Sequence, residues 1–375
     1  EYVEIRNVSV TPYNLQGWRI SDATGTATIS TSFLLQPDSA VILCTNSNVG
    51  QFVSFGRTIG VTSFPSLDND GELLALRSPQ NAVIHAVAYS SSWYDNAIKQ
   101  EGGWSLEMID LANPCTGKEN WKASTNSIGG TPGQPNAVRG NNVDDTPPQL
   151  KKAFVLTSEQ AVLQFDEPLD SNSAAIASNF SVQGINVTAA TPLPPLFQQV
   201  QLQLSTPLQQ GQVHTVTVSN ITDCNGNAIS TFNKAKLGIP QPAVAGDVVI
   251  NEILFNPGPG ISDYVEVYNR SNKIIDAAAL YVANWATSGT AASPKRFSEA
   301  PAYLFPGEFF VVTEDRGALS EAYHVKNEAA VLQISSLPTY PDDKGSVVLL
   351  NSTGDVLDEL AYHKDWHFAL INEPE

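Results

Sequence analysis

The sequence predicts an all-β protein built from several small sandwiches, and three observations carry that prediction. Short runs of alternating apolar and polar residues recur along the chain. Twenty-five Gly and 24 Pro punctuate them, as turns between short strands require. One ordered set of motifs also occurs twice. Glu1-Tyr2-Val3-Glu4-Ile5-Arg6-Asn7 returns as Asp263-Tyr264-Val265-Glu266-Val267-Tyr268-Asn269, and Ala88-Tyr89 with Trp93 returns as Ala361-Tyr362 with Trp366. Between them, Leu34 to Leu43 matches Leu304 to Val312, and Phe64-Pro65 with Asp68-Asn69-Asp70-Gly71 matches Leu337-Pro338 with Asp342-Asp343-Lys344-Gly345.

In chain order, the first copy predicts strands over Tyr2–Ile5, Trp18–Ile20, Ala40–Cys44, Glu72–Leu76, Val83–Tyr89 and Ser105–Ile109. Asp68-Asn69-Asp70-Gly71 reads as a hairpin turn, because Asn, Asp and Gly tolerate positive φ. Ile128 to Asn136, with three Gly and two Pro, reads as a closing loop. Asn141 to Pro148 is then a short polar linker. Ala161 to Leu169 then reads as a strand running into a turn, and alternation returns in Phe180–Val182, Val200–Leu204 and His214–Val218, the pattern of a small antiparallel sandwich. Pro240-Gln241-Pro242 leads into the second copy, where Asp315 to Lys326 is the one segment with a helical look. The predicted units are 1–139, 146–240 and 246–375.

The repeat also predicts that both ends are cut. Asp247 to Phe255 opens copy two as a strand that copy one lacks, whereas copy one continues from Trp104 to Trp121 through a segment copy two does not reach. A sheet missing a strand exposes backbone groups and apolar surface. The expectation is a piece of a longer protein, with any catalytic domain outside it.

Charged residues make up 15% of the chain, below the roughly 25% of an average soluble protein. The net charge of −18 argues against a nucleic-acid partner, which calls for clustered Lys and Arg. No apolar stretch reaches the roughly 20 residues that cross a bilayer as a helix. Of the three cysteines, Cys44 falls in a core strand, while Cys115 and Cys224 fall in turns. A disulfide between the last two would tie the first unit to the middle one in an oxidising compartment, and free thiols are the alternative.

Val249-Ile250-Asn251-Glu252-Ile253 followed by Asp263 to Asn269 resembles the opening of bacterial lamin-tail domains. Trp104-Ser105-Leu106-Glu107-Met108, Asn120-Trp121-Lys122-Ala123-Ser124 and Gly130 to Asn136 resemble their close. The middle unit resembles bacterial Ig-like modules through Phe165-Asp166-Glu167-Pro168-Leu169 and Ile221 to Asn227. The resemblance implies tandem immunoglobulin-like β-sandwiches and a role in interaction rather than catalysis. Such domains are similar to accessory modules of secreted or cell-surface proteins, often in Bacteroidota with type 9 secretion.

Candidate chemistry is sparse. His363 and His367 lie four apart, but Lys364 stands where the zinc-protease pattern needs Glu. No Gly-x-Ser-x-Gly elbow and no phosphate-cradling Gly loop occurs. Asp68, Asp70 and Glu72 offer hard oxygens for calcium from one loop, with Asp342 and Asp343 in the equivalent place and Asp223, Asn225 and Asn227 in the middle unit. Turn chemistry is the plainer account of each. Trp93 and Tyr94, beside Ser90-Ser91-Ser92, offer a loop-borne aromatic patch. Asn7, Asn179, Asn186, Asn220, Asn269 and Asn351 satisfy the N-glycosylation pattern.

The expected function is therefore a non-catalytic interaction and spacer module of a secreted or surface protein, as cargo or component of a type 9 secretion or gliding apparatus. Its partner would be a protein, with carbohydrate as the alternative, and no cofactor is expected, calcium at one of these acidic turns being the one alternative. Two alternatives stand beside it: the accessory arm of a secreted hydrolase or nuclease, and a carbohydrate-binding adhesin using Trp93 and Tyr94.

Overall fold

The computed structural model describes residues 1–366, and these form tandem immunoglobulin-like β-sandwiches. Three main apolar cores lie along the chain. One is centred on Leu15, Ile20, Ile29, Val41 and Leu43, the next on Leu163, Phe165, Leu202 and Val216, the last on Val267, Leu280, Phe297 and Leu349.

In the first unit, one sheet sets Val3–Arg6, Ala40–Thr45 and Thr58–Val61 side by side. The other orders Thr26–Thr28, Arg19–Ser21, Gly71–Arg77 and Val83–Ser90. Ala40–Thr45 is the central strand of its sheet, and Val41 to Cys44 are all fully buried. Burial on both faces explains why it reads as a continuous apolar run instead of an alternating one. Burial also pushes the Cys44 thiol up, away from reactivity.

The closing loop packs beside this sheet. Gly133 N–H donates to Glu4 Oε2 at 2.5 Å. A Cβ on Gly133, whose φ is +73°, would stand 2.4 Å from the Phe55 carbonyl oxygen, so only glycine fits the crossing. The buried Glu107 carboxylate accepts from Thr131 Oγ1 at 2.6 Å and from Ala137 N–H at 2.7 Å, fixing the loop to the Leu106–Met108 strand.

Asp68-Asn69-Asp70-Gly71 turns, but it closes no hairpin. It carries the chain from Thr58–Val61, which runs parallel to Ala40–Thr45, into Gly71–Arg77 of the opposite sheet. The hairpin lies one strand later, at Ser78 to Ala82, where Asn81 takes φ +68°. Both turns use residues that tolerate positive φ, so composition alone does not separate a hairpin from a crossover.

The middle unit packs Leu150–Thr157, Gln160–Phe165, Gln199–Leu204 and Val187–Leu193 against Phe180–Val182, His214–Val218 and Lys234–Leu237. The third unit repeats the first. Val248–Leu254, Tyr264–Asn269, Phe309–Thr313 and Val331–Gln333 form one sheet. Ala291–Arg296, Leu280–Trp285, Lys344–Asn351 and Val356–His363 form the other. The expected helix is shorter than its pattern, Arg316–Ala322, capped by Asp315 accepting from Ala318 N–H.

The two copies match in register as well as in sequence. Val3↔Leu43 and Ile5↔Val41 in the first copy correspond to Val265↔Val312 and Val267↔Phe310 in the second. Asn7 and Asn269 also play one part. Each donates to two carbonyls, Thr11 and Leu35 in one copy, Lys273 and Leu304 in the other, while accepting from the next Ser but one. Both are buried, Asn269 completely, so in these two places the glycosylation pattern is a turn-building pattern that no glycan reaches in the folded chain.

Candidate functional site

The functional residues the sequence singled out do not assemble into one site. Asp68 and Asp70 are exposed. Glu72 instead accepts from Asp68 N–H at 3.0 Å and from the Tyr89 hydroxyl at 3.1 Å. The three side chains are not among the groups whose ligand oxygens converge. Trp93 and Tyr94 sit on a single 3-10 turn, Ser91–Tyr94, and both are half-buried. Tyr94 donates to the Trp104 carbonyl at 2.9 Å, and the Trp93 ring lies against Gly117. His363 ends the Val356–His363 strand and faces Asp365 at 3.2 Å, while His367 lies outside the described residues.

What the fold does assemble is a joint. Cys115 and Cys224, with Cα atoms 6.3 Å apart, are joined by a disulfide that bridges the first and middle units. Around it, Asn113, Thr116 and Asp144 meet Glu167, Asp223, Asn225 and Asn227. Asn225 Nδ2 donates to Asn113 Oδ1 at 2.7 Å and to Asp144 Oδ2 at 3.1 Å. Thr116 Oγ1 donates to the same two oxygens, at 2.7 and 3.1 Å. Asn227 Nδ2 reaches the Asp144 carbonyl at 3.0 Å and Asp223 Oδ2 at 2.8 Å.

Local sequence explains each position. Asp223-Cys224-Asn225-Gly226-Asn227 is a tight turn in which Asp223 Oδ1 accepts from the backbone N–H of Asn225 and Asn227, at 2.8 and 2.9 Å. That turn leaves the Asn225 and Asn227 amides pointing outward to the neighbouring unit. Glu167 follows the Gln160–Phe165 strand and is carried to the joint by the strand end. Asp144 comes from the segment read as a linker, which is anchored here rather than free.

Among the described residues, Asp144, Glu167 and Asp223 are the one group of three acidic or imidazole-type side chains whose ligand atoms all lie within 4.8 Å of one another. Asp223 is buried and the other two half-buried. Burial first, then the charges of Asp144, Asp223 and Asp166, push the Glu167 carboxyl up to about 8. The donor set is carboxylate, amide and hydroxyl oxygen, with no thiolate or imidazole, which is the set a hard divalent cation takes. The sequence signalled Asp223, Asn225 and Asn227, but Asp144 and Glu167 lie 79 and 56 residues away from Asp223 in the chain and carry no local sign of convergence.

The second joint is held differently. Lys152 Nζ donates to the Pro301 carbonyl at 3.1 Å, and the Tyr303 hydroxyl accepts from Val155 N–H at 3.1 Å. Lys236 pairs with Glu308 at 2.5 Å and lies 5.4 Å from the centre of the Phe305 ring.

The repeat geometry has its counterpart in a family model, that of the Lamin Tail Domain, which matches residues 1–91 and again residues 241–364. The chain belongs to the lamin tail domain family. The two matches together take in more than half of it and leave out the middle unit. No curated protein matches the chain. Among solved structures, the N-terminal part of the bacterial S-layer protein SbsC is 15% identical, with a TM-score of 0.24 over 58% of this chain and 44% of that one. The chain thus spans less than half the length of that S-layer structure. The Yersinia pseudotuberculosis adhesin InvE is 11% identical, with a TM-score of 0.18 over 58% of each chain. A DUF4876 family protein from Bacteroides thetaiotaomicron is 14% identical, with a TM-score of 0.20 over 53% of this chain and 66% of that one.

Proposed function

We propose that this lamin-tail chain is a non-catalytic spacer and interaction module of a secreted or surface-attached protein. The observation that carries the reading is the first joint. Two sandwiches linked by a disulfide, and by hydrogen bonds from Asn225 and Asn227 to Asn113 and Asp144, act as one stiff body. A structural disulfide between units belongs to an oxidising compartment, which supports an extracellular location. No helix among the described residues is long and apolar enough to cross a membrane.

Calcium is the cofactor this reading takes, at Asp144, Glu167 and Asp223, where it would offset three crowded carboxylates and stiffen the joint further. The partner is a protein, met at loops or a sheet edge held at fixed spacing. Within that class we favour cargo or a component of a type 9 secretion or gliding apparatus. Loss of that apparatus in the native host should keep the protein from the cell surface, and unchanged surface display would remove the assignment.

Small-angle scattering tests the spacer. The oxidised chain should give a narrow, rod-like distance distribution that broadens in a Cys115→Ser/Cys224→Ser double variant. An oxidised chain as broad as the variant would refute a stiff first joint. For the cation, calcium should raise the melting temperature of the middle unit in the parent and not in Glu167→Gln. An equal rise in both, or none in either, removes the calcium assignment and leaves the disulfide joint in place.

A further inference from the structure

The larger sheet of the middle unit turns a row of glutamine amides outward. Ala161, Leu163 and Phe165 point inward with Val200, Leu202 and Leu204 to make the core. Strand alternation therefore places Gln160, Gln164, Gln199, Gln201 and Gln203 on the other face, and none of the five is buried. Register sets them side by side on the two central strands. Gln160 stands opposite Gln203 and Gln164 opposite Gln199, with Gln201 between the pairs, opposite Val162. Gln160 Nε2 donates to Gln203 Oε1 at 3.1 Å, and Gln199 Nε2 donates to Gln164 Oε1 at 2.5 Å. Each pair leaves one amide oxygen open, at Gln160 and at Gln199. The Gln201 amide makes no hydrogen bond among the described residues.

A groove of about 240 Å³ adjoins this face. Its polar lining is Gln164, Gln198 and Gln199, and its apolar lining is Leu193, Pro194, Pro195 and Leu196. Every lining residue belongs to the middle unit, which has a neighbouring unit on either side in the chain. The groove is smaller than the roughly 300–1,000 Å³ of a drug-sized site, so it suits one unit of a chain that continues outside it.

The chemistry of the lining selects the ligand. No charged side chain lines the groove, and a net charge of −18 on the chain repels polyanions. The strands that carry the glutamines, Gln160–Phe165 and Gln199–Leu204, are each paired on both sides. Their backbone groups are spent in the ladder, which leaves no edge at which a peptide could add a strand. What remains is side-chain amides beside an apolar wall. Neighbouring hydroxyls of a sugar ring take the donor and the acceptor of one amide together, while the C–H face of the ring packs on proline and leucine. We propose that this face binds a neutral polysaccharide, with one sugar unit in the groove and its neighbours along the glutamines. The site lies outside the lamin-tail matches and on a different unit from Trp93 and Tyr94.

The probes are neutral hexasaccharides of glucose, mannose, galactose and xylose, titrated by calorimetry into the whole chain and into its Gln199→Met and Gln201→Met variants. Methionine keeps the length of the side chain and removes the amide, and an unchanged melting temperature checks the fold. At least one probe should bind one-to-one. Each variant should weaken it roughly three- to tenfold, the effect of losing one hydrogen bond between uncharged groups. Trp93→Ala should bind as the parent does. Absence of binding by every probe overturns the proposal. So does binding that both methionine variants keep in full, or that Trp93→Ala abolishes, which puts the sugar on the first unit. A decaproline peptide is titrated alongside. Tighter binding of that peptide, weakened by the same methionine variants, overturns the proposal in favour of a proline-rich protein segment. None of these outcomes touches the scattering test of the first joint.

Discussion

Removing the inter-unit disulfide should lower the stability of the middle sandwich more than that of either neighbour. Cys115 and Cys224 are separated by 109 residues, so the bond closes a loop containing the linker and nearly all of the middle unit. The chain-entropy relation gives about 4.8 kcal/mol for a loop of that size at 25 °C. If the first unit stays folded while the middle one opens, the freed loop is shorter. The logarithm then trims only a few tenths of a kcal/mol. For a unit of about ninety residues each kcal/mol moves the midpoint by roughly 4–8 °C. The full entropic value means a drop of about 20–35 °C, and the low end of measured disulfide effects, near 2 kcal/mol, still means roughly 10 °C. Scanning calorimetry of the parent and of Cys115→Ser/Cys224→Ser reads this directly. The third unit, whose core runs from Ala243 to Tyr362 without contact to the bond, serves as internal control. A middle transition that shifts by less than about 3 °C would show that the crosslink constrains little in the unfolded chain, and the argument for a stiff first joint would lose its main support.

Two other predictions concern the third unit. Burial, then the charges of Asp342 and Glu314, push the Asp263 carboxyl up to about 6, from an ordinary value near 3.9. The folded state therefore holds that proton more tightly than the unfolded one. The contribution of this one group to stability is fully present below about pH 4 and is lost as pH rises to about 6. Asp263→Asn keeps the backbone carbonyl that accepts from Thr313 Oγ1 and should flatten this part of the melting profile while raising the melting temperature at pH 7. An unaltered slope between pH 4 and 6 counts against the assignment. Asn269→Ala strips two buried donors from Lys273 and Leu304 and an acceptor from Ser271, and should cost roughly 2–4 kcal/mol by urea unfolding. A loss under about 0.5 kcal/mol would mean that water replaces the amide, despite its complete burial.

The repeat, the strand positions and the closing loop were legible in the sequence because each depends on residues close together in the chain. The strand pattern marked Val83–Ser90 and His214–Val218 to within one residue at either end. The continuous run Val41 to Cys44 marked a strand covered on both faces. Asp68-Asn69-Asp70-Gly71 was legible as a turn and not as a crossover, because positive-φ residues say where a chain bends and not which sheet it enters next. Asn7 and Asn269 carried a misleading signal. Asn-x-Ser is equally a glycan acceptor and an Asx turn, and only burial distinguishes the two.

The sequence by itself determined an acidic, all-β chain with two copies of one sandwich around a third, since strand period, turn residues and repeats are local properties that nothing distant can alter. Only the tertiary structure decided where its chemistry gathers. It brought Asp144 from the linker and Glu167 from a strand end to Asp223, closed Cys115 on Cys224, and left Trp93 and Tyr94 half-buried against their own unit. Convergence across 50 to 110 residues depends on how whole sandwiches pack, and that packing is set by cores whose side chains carry no mark of the joint they position.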